Sequence, residues 1–404
     1  MTIFAHMFRL IFTSMLALWA VVAQAVPFVP ASDLTPLERL PSKPGEVSTA
    51  DRSGRTMRAA LKLDPKNADL AARIAQVYVS RARTESDPRF LGQAQSALGA
   101  WWAQEAPPIP ILLLRATIRQ STHDFSNARR DLDQAVKREP GNAQAWLTMA
   151  TVQQVTGDLK GAAASCRKVL PLAPPLIGIT CMAGIDGAEG RAAEAYDALN
   201  AALIASNASG RDSVGVRTWA ITLQAEIAER LNRAADAERL YRASLALDPG
   251  DAYSVAAYSD FLIDAGRANE VLTLIPASTR ADVLLLRRAI AAKLAATPEA
   301  AALAKDLGER FAASKARGDR VHLREEARYA LVITSEPKEA LDLARENWLV
   351  QKEPLDARIA LETAIAARQP QAVADVLTWL DATRLQGEKL AQLAAQLKGQ
   401  VKAQ

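Results

Sequence analysis

The chain has 404 residues, of which 50% are apolar, 5% aromatic and 23% charged, with 49 Lys and Arg against 45 Asp and Glu for a net charge of +4. That length exceeds one ordinary globular core, and so few aromatic residues leave Ala and Leu to fill the interior, which suits closely packed helix pairs. The small positive excess is spread along the sequence without a Lys/Arg stripe, which argues against a nucleic-acid partner.

Residues 1–25 read as a cleaved secretory leader. Met1 to Arg9 carry one Arg and no acid, Leu10 to Val22 are mostly apolar, and Ala23-Gln24-Ala25 offers the small residues that a signal peptidase accepts. No Cys follows that point directly, against a lipid-anchored form, and the Ala-rich composition suggests a bacterial periplasmic address. Without Arg9 the mature chain carries 48 basic and 45 acidic side chains, for a charge of +3. No later stretch has the roughly 18 uninterrupted apolar residues of a membrane helix, so the mature chain is expected to lack a transmembrane segment. Residues 26–53 contain Pro27, Pro30, Pro36, Pro41 and Pro44 and predict an extended arm.

From about Gly54 the apolar residues recur at three and four positions, as in Leu70, Ile74, Val77 and Tyr78, with no alternation of period two. Prolines mark the connections, and Pro140 and Pro174 stand 34 residues apart. Between them Trp146, Met149, Ala150, Gly157, Ala162 and Leu170 follow the order of a helical hairpin repeat, with Gly157 at the turn and Ala150 and Ala162 where the helices cross. Leu112, Ala116, Ala128, Leu132 and Pro140 repeat the spacing one unit earlier, and Ile221, Ala225, Ala237, Tyr241 and Pro249 do so later. Val255, Leu262, Gly266, Val271 and Pro276 give a shortened copy, and Ser206 to Gly215 read as a hinge or insertion. The expected organisation is therefore repeats over 54–276, degenerate helical repeats over 277–387 and a capping helix over 388–404. Within the degenerate part, helices are expected at Leu323 to Val332, Glu339 to Val350, Leu355 to Ala367 and Pro370 to Ala382.

These residues resemble the tetratricopeptide repeat (TPR) family, and the segments Leu112 to Gln120, Arg324 to Tyr329 and Arg345 to Trp348 are similar to a group of uncharacterised bacterial exported repeat proteins. The resemblance implies an all-α, right-handed superhelical solenoid of antiparallel hairpins whose concave groove holds a protein or peptide partner. The repeat register assigns Gln120, Gln144, Thr151, Gln154, Trp219, Glu226, Glu229, Tyr253, Asp260 and Asp264 to that groove. Its aromatic rings would anchor an apolar side chain, and its acidic end would attract Lys or Arg on the partner. The family's clamp for a C-terminal carboxylate uses Lys and Asn on successive first helices, residue types missing from these positions.

Other side chains carry two readings. Cys166 and Cys181, the only cysteines, are close enough in the register for a structural disulfide; two buried free thiols are the alternative, and without a Cys-x-x-Cys motif a redox or metal role ranks last. Arg115 and Arg119 fall on the packed face of their helix, where Asp131 and Asp133 would neutralise them; otherwise they form an anion pocket for carboxylate or phosphate. Arg324, Glu325, Glu326 and Arg328 read as an exposed face laced by i to i+4 ion pairs. Beyond the leader only His123 and His322 are of the residue type that could serve as a near-neutral base, and each stands alone. No zinc, nucleotide or nucleophile-elbow motif occurs, so neither cofactor nor metal is expected and the chain does not read as an enzyme. The rival readings are a small anion- or metal-binding accessory protein and an enzyme with His322, Glu325 and Arg328 around a deep pocket.

Overall fold

The computed structural model describes residues 49–84 and 86–403. The expected leader and nearly all of the expected arm lie outside the described residues. Met1–Ser53 and Gly54–Gln404 are separate units, and the helical hairpins belong to the second.

Among the described residues every regular element is helical. The opening helices are α1 (Thr49–Leu63), α2 (Ala68–Thr84), α3 (Arg89–Ala97) and the short α4 (Gly99–Trp102). Hairpins then come in order: α5 (Ile109–Ser121) with α6 (Phe125–Arg138), α7 (Ala143–Val155) with α8 (Leu159–Val169), and α9 (Pro175–Ala188) with α10 (Ala192–Ser209). Next are α11 (Val214–Arg230) with α12 (Ala234–Leu247), α13 (Ala252–Asp264) with α14 (Ala268–Leu274), and α15 (Asp282–Leu294) with α16 (Ala300–Ala316). The chain ends in α17 (Leu323–Arg328), α18 (Pro337–Val350), α19 (Pro354–Ala367), α20 (Ala374–Thr383) and α21 (Glu388–Ala403).

The hairpins share one turn chemistry. His123, Gly157, Gly190, Asn232, Gly266 and Ala296 all have positive φ, and each stands two residues after the first helix of its pair. The next amide bonds back to the helix: Asp124 to Arg119, Asp158 to Gln153, Arg191 to Asp186, Arg233 to Ala228, Arg267 to Leu262 and Thr297 to Ala292, all at 2.8–2.9 Å. This is a Schellman closure, in which one left-handed residue satisfies carbonyls that the helix end would leave bare. Gly is preferred there, and His123 and Asn232 adopt the same conformation at some steric cost.

Small residues let the paired helices touch. Ala116, Ala128, Ala150, Ala162, Ala225 and Ala237 are all at most 2% exposed. A Cβ on Gly178 would lie 3.0 Å from the Leu170 backbone, so α9 approaches the end of α8 more closely than any larger residue allows. The Cys166–Cys181 disulfide ties these same two helices, closing a separation of 15 residues, which contributes on the order of 3 kcal/mol in the loop-entropy account. Trp146 is half-buried, its indole donating to the Pro140 carbonyl at 2.8 Å.

The supposed hinge at Ser206 to Gly215 is different in the structure. Helix α10 continues through Ser209, Gly210 caps it in the left-handed region, and α11 starts at Val214 behind the Ser213 N-cap. The Ala-rich stretch sustains the helix, and burial of Ala202 and Leu203 against the neighbouring hairpin outweighs the turn preference of Ser and Asn. The C-terminal helices fall close to their expected ranges, except that α17 passes into a π-helical turn, Tyr329–Thr334. Lys293 donates there to the Val332 and Ile333 carbonyls at 2.7 and 2.8 Å.

The architecture is an all-α, TPR-like solenoid of antiparallel hairpins. Its last part has a core of its own: Leu341, Ala344, Trp348, Ile359, Leu361, Val376, Leu390 and Leu397 pack together, with no residue from the hairpins before α17 in their cluster.

Candidate protein-binding face

The first helices α7, α9, α11 and α13 lie side by side, so residues at matching register form a continuous face. Gln144 is exposed, donating to Thr148 at 3.0 Å, and the Thr151 hydroxyl returns to the Leu147 carbonyl at 3.1 Å. Gln120 and Gln154 are half-buried, the latter beside Gly184 of the next first helix. Trp219 and Tyr253 are 37% and 62% exposed. Glu226 stands two turns beyond Trp219 on the same stripe of α11 and accepts the Tyr253 hydroxyl at 2.7 Å, while Glu229 accepts the Tyr241 hydroxyl at 3.0 Å.

Neither glutamate forms an ion pair among the described residues. Burial raises the pKa of both, that of Glu229 to about 7; the Tyr241 hydrogen bond offsets only part of that burial, and the Asp264 and Glu226 charges add to the rise. Because the folded pKa lies above the unfolded value, the native state holds this proton more tightly, and the associated stability is lost as pH rises from about 4.5 through about 7. Glu229→Gln keeps the tyrosine bond and removes the carboxylate. In urea titrations it should match the parent at pH 4.5 and gain on the order of 1–2 kcal/mol at pH 8; an equal offset at both pH values would contradict this. His123 acts in the opposite sense. Burial, then the Arg324 charge, lower its pKa to about 4, so its stabilising neutrality is lost as pH falls below about 6.5.

The acidic end of the face is already occupied. Asp260 accepts Arg287 at 2.7 Å and Arg328 at 2.8 Å. Burial would raise its pKa, but the two guanidinium groups hold it below the ordinary value. Asp264 accepts both terminal nitrogens of Arg358. Arg328 and Arg358 belong to α17 and α19, so the cationic partner expected from another polypeptide is supplied by the chain itself. Further along, the Lys352 amide donates to the Val155 carbonyl at 2.8 Å and the Ala192 amide to Gln386 at 2.9 Å. A Cβ on Gly190 would meet the Arg384 carbonyl at 2.8 Å.

One expectation changes accordingly, and two alternative readings fall, while the pairing of Arg115 and Arg119 with Asp131 is as expected. Arg324 and Arg328 are not an exposed face laced by local pairs: their side chains are 19% and 12% exposed and bond distant acids, Arg324 reaching Asp356 at 2.6 Å and Glu353 at 2.5 Å. Arg115 and Arg119 offer no vacant anion pocket, because Asp131 fills it. Arg115 binds that carboxylate at 2.8 and 2.7 Å and donates to the carbonyls of Trp101, Trp102 and Gln104, while Arg119 reaches Asp131 at 2.5 Å. Asp133 is exposed and takes no part. Finally, His322, Glu325 and Arg328 do not converge: His322 lines a shallow, mainly apolar recess with Val79, Leu91 and Ser121, whereas Arg328 turns to Asp260.

No protein-family model matches the chain, and no curated protein matches it. Among solved structures it is similar to yeast Tom70, at 13% identity over 87% of this chain and 86% of that one, with a TM-score of 0.39. A tetratricopeptide repeat protein from Parabacteroides merdae is 12% identical over 72% of this chain and 98% of its own, with a TM-score of 0.35. The human IFIT1 dimer with PPP-AAAA is 13% identical over 87% and 88%, with a TM-score of 0.42. The TPR-like assignment stands on the hairpin geometry of the chain itself. No helix among the described residues is long and apolar enough to cross a membrane.

Proposed function

We propose that this protein is a periplasmic scaffold that binds a protein or peptide partner on its first-helix face, in envelope assembly or as an accessory to a transport or export system. The observation that carries the binding reading is the pair of exposed aromatic rings, Trp219 and Tyr253, on the adjacent first helices α11 and α13 and on either side of Glu226. Large rings of this kind concentrate binding energy, and an unpaired carboxylate between them favours a cationic or amide-bearing segment. The leader-like N-terminus supports export, and the Cys166–Cys181 bond agrees with an oxidising compartment.

Crosslinking and affinity capture from intact cells test this reading. Trp219→Ala with Tyr253→Ala should reduce recovery of the captured partner about tenfold or more, with the far-ultraviolet circular dichroism and melting temperature unchanged. Undiminished capture by the double variant would refute the assignment of this face.

A further inference from the structure

The helices from Leu323 to Ala403 differ from the hairpins before them in how they are held: Ala327 lies in their common core, and Arg324 pairs with Asp356 and Glu353. Their apolar side chains close on one another around Trp348, Leu361 and Leu397. Against the preceding hairpins they present mostly polar groups: Arg358 to Asp264 and the Lys352 amide to Val155 on the first-helix face, and Gln386 to the Ala192 amide at the start of α10. Val350 is the apolar exception, packing near Phe125 and Met149. Arg328 adds the bond to Asp260, and beyond that face Tyr329, Val332 and Ile333 of the π-helical turn pack on the core of α15 and α16. The connection to α16 is the short stretch 317–322, with Gly318 at a φ of 74°. A body with its own core and a largely polar seam against that face can swing away from it, about the π-helical contact, without exposing that core, because ion pairs and single hydrogen bonds exchange for water at little net cost.

We infer that the unit Leu323–Ala403 is a detachable intramolecular occupant of the first-helix face, held there by the guanidinium–carboxylate pairs Arg328–Asp260 and Arg358–Asp264, which an arginine-bearing partner displaces. Asp260 and Asp264 show which chemistry the face accepts, since both take arginine. Glu226 and Glu229, on the neighbouring helix, bind only tyrosine hydroxyls, leaving carboxylates to receive further guanidinium groups once the seam opens. The partner half of the inference rests on the proposed binding function; the detachment half does not.

Hydrogen exchange on the full oxidised chain tests both halves. The amides of Lys352 and Ala192 report the seam, because their acceptors lie across it. Arg358→Glu, and the milder Arg358→Gln, should speed exchange at these two amides about tenfold or more. The interiors of α7, α12 and α19 should keep parental rates, and Arg358→Glu with Asp264→Arg should restore protection at the seam. Unchanged seam amides, or seam amides opening in step with the helices of the unit itself, would overturn detachment. Octa-arginine peptide added to the parental chain should open the same two amides. If it leaves them protected while the variants open them, displacement by an arginine-bearing partner is overturned and detachment stands.

Discussion

Asp131→Asn should destabilise the protein by about 3–5 kcal/mol, because it leaves the buried Arg115 guanidinium without an anion and Arg119 with only Asp124, at 3.9 Å. Arg115 and Asp131 are 3% and 1% exposed, and Arg119 is 11% exposed. The amide is isosteric, so packing is kept and only charge is lost. Each hairpin leans chiefly on its neighbours, so the loss should appear as early exchange in α2 to α6 while α11 to α14 hold. Replacing Arg115, Arg119 and Asp131 together by Met, Met and Leu should recover only part of the loss. Such swaps succeed where an ion triad is self-contained, but Arg115 also satisfies the carbonyls of Trp101, Trp102 and Gln104 at the end of α4. Full recovery, or an Asp131→Asn change below about 1 kcal/mol, would show that the carboxylate is not the counter-ion of this pair of arginines.

Asp356→Ala should cost a similar amount, about 3–5 kcal/mol, and should affect the opposite end of the chain. Its side chain is 1% exposed and accepts Arg324 at 2.6 Å, the Asn347 amide at 2.7 Å and the Glu353 backbone N–H at 2.9 Å. The last bond completes a capping box at the start of α19, and the others join α17, α18 and α19. Removing the carboxylate bares a helix end and leaves Arg324 with Glu353 alone. Denaturant titration with a probe at Trp348 should show the C-terminal unit melting first. Asp356→Asn should retain part of the hydrogen bonding and fall between the variant and the parent. A coincident, undiminished transition for Asp356→Ala would count against this hub.

Both aspartates illustrate why charge was harder to interpret than packing. Arg115 and Asp131 sit on consecutive helices, so a repeat register that puts Arg115 on the packed face already points to the next helix for its partner. Arg328 and Asp260 are 68 residues apart, and Arg358 and Asp264 are 94 apart. Period and spacing say nothing about pairs at that distance. The local pattern at Arg324 to Arg328 instead suggested surface pairing, because i to i+4 neighbours of opposite sign are normally solvated. The groove assignment has the same strength and weakness. Register placed Glu226, Tyr253, Asp260 and Asp264 on a common face, but could not show that arginines from α17 and α19 already lie on two of them.

The sequence by itself determined the hairpins, since helix period, small residues at crossings and left-handed turn positions act over a few residues and recur at every repeat. It also put Cys166 and Cys181 within reach, one on each of two successive helices. Only the tertiary structure decided that the last helices close around their own apolar core and turn their charged edge onto the first-helix face. The physical reason is that short-range sterics and hydrogen bonding are written into neighbouring residues, whereas a polar seam between remote segments depends on how the accumulated twist of many hairpins brings them together.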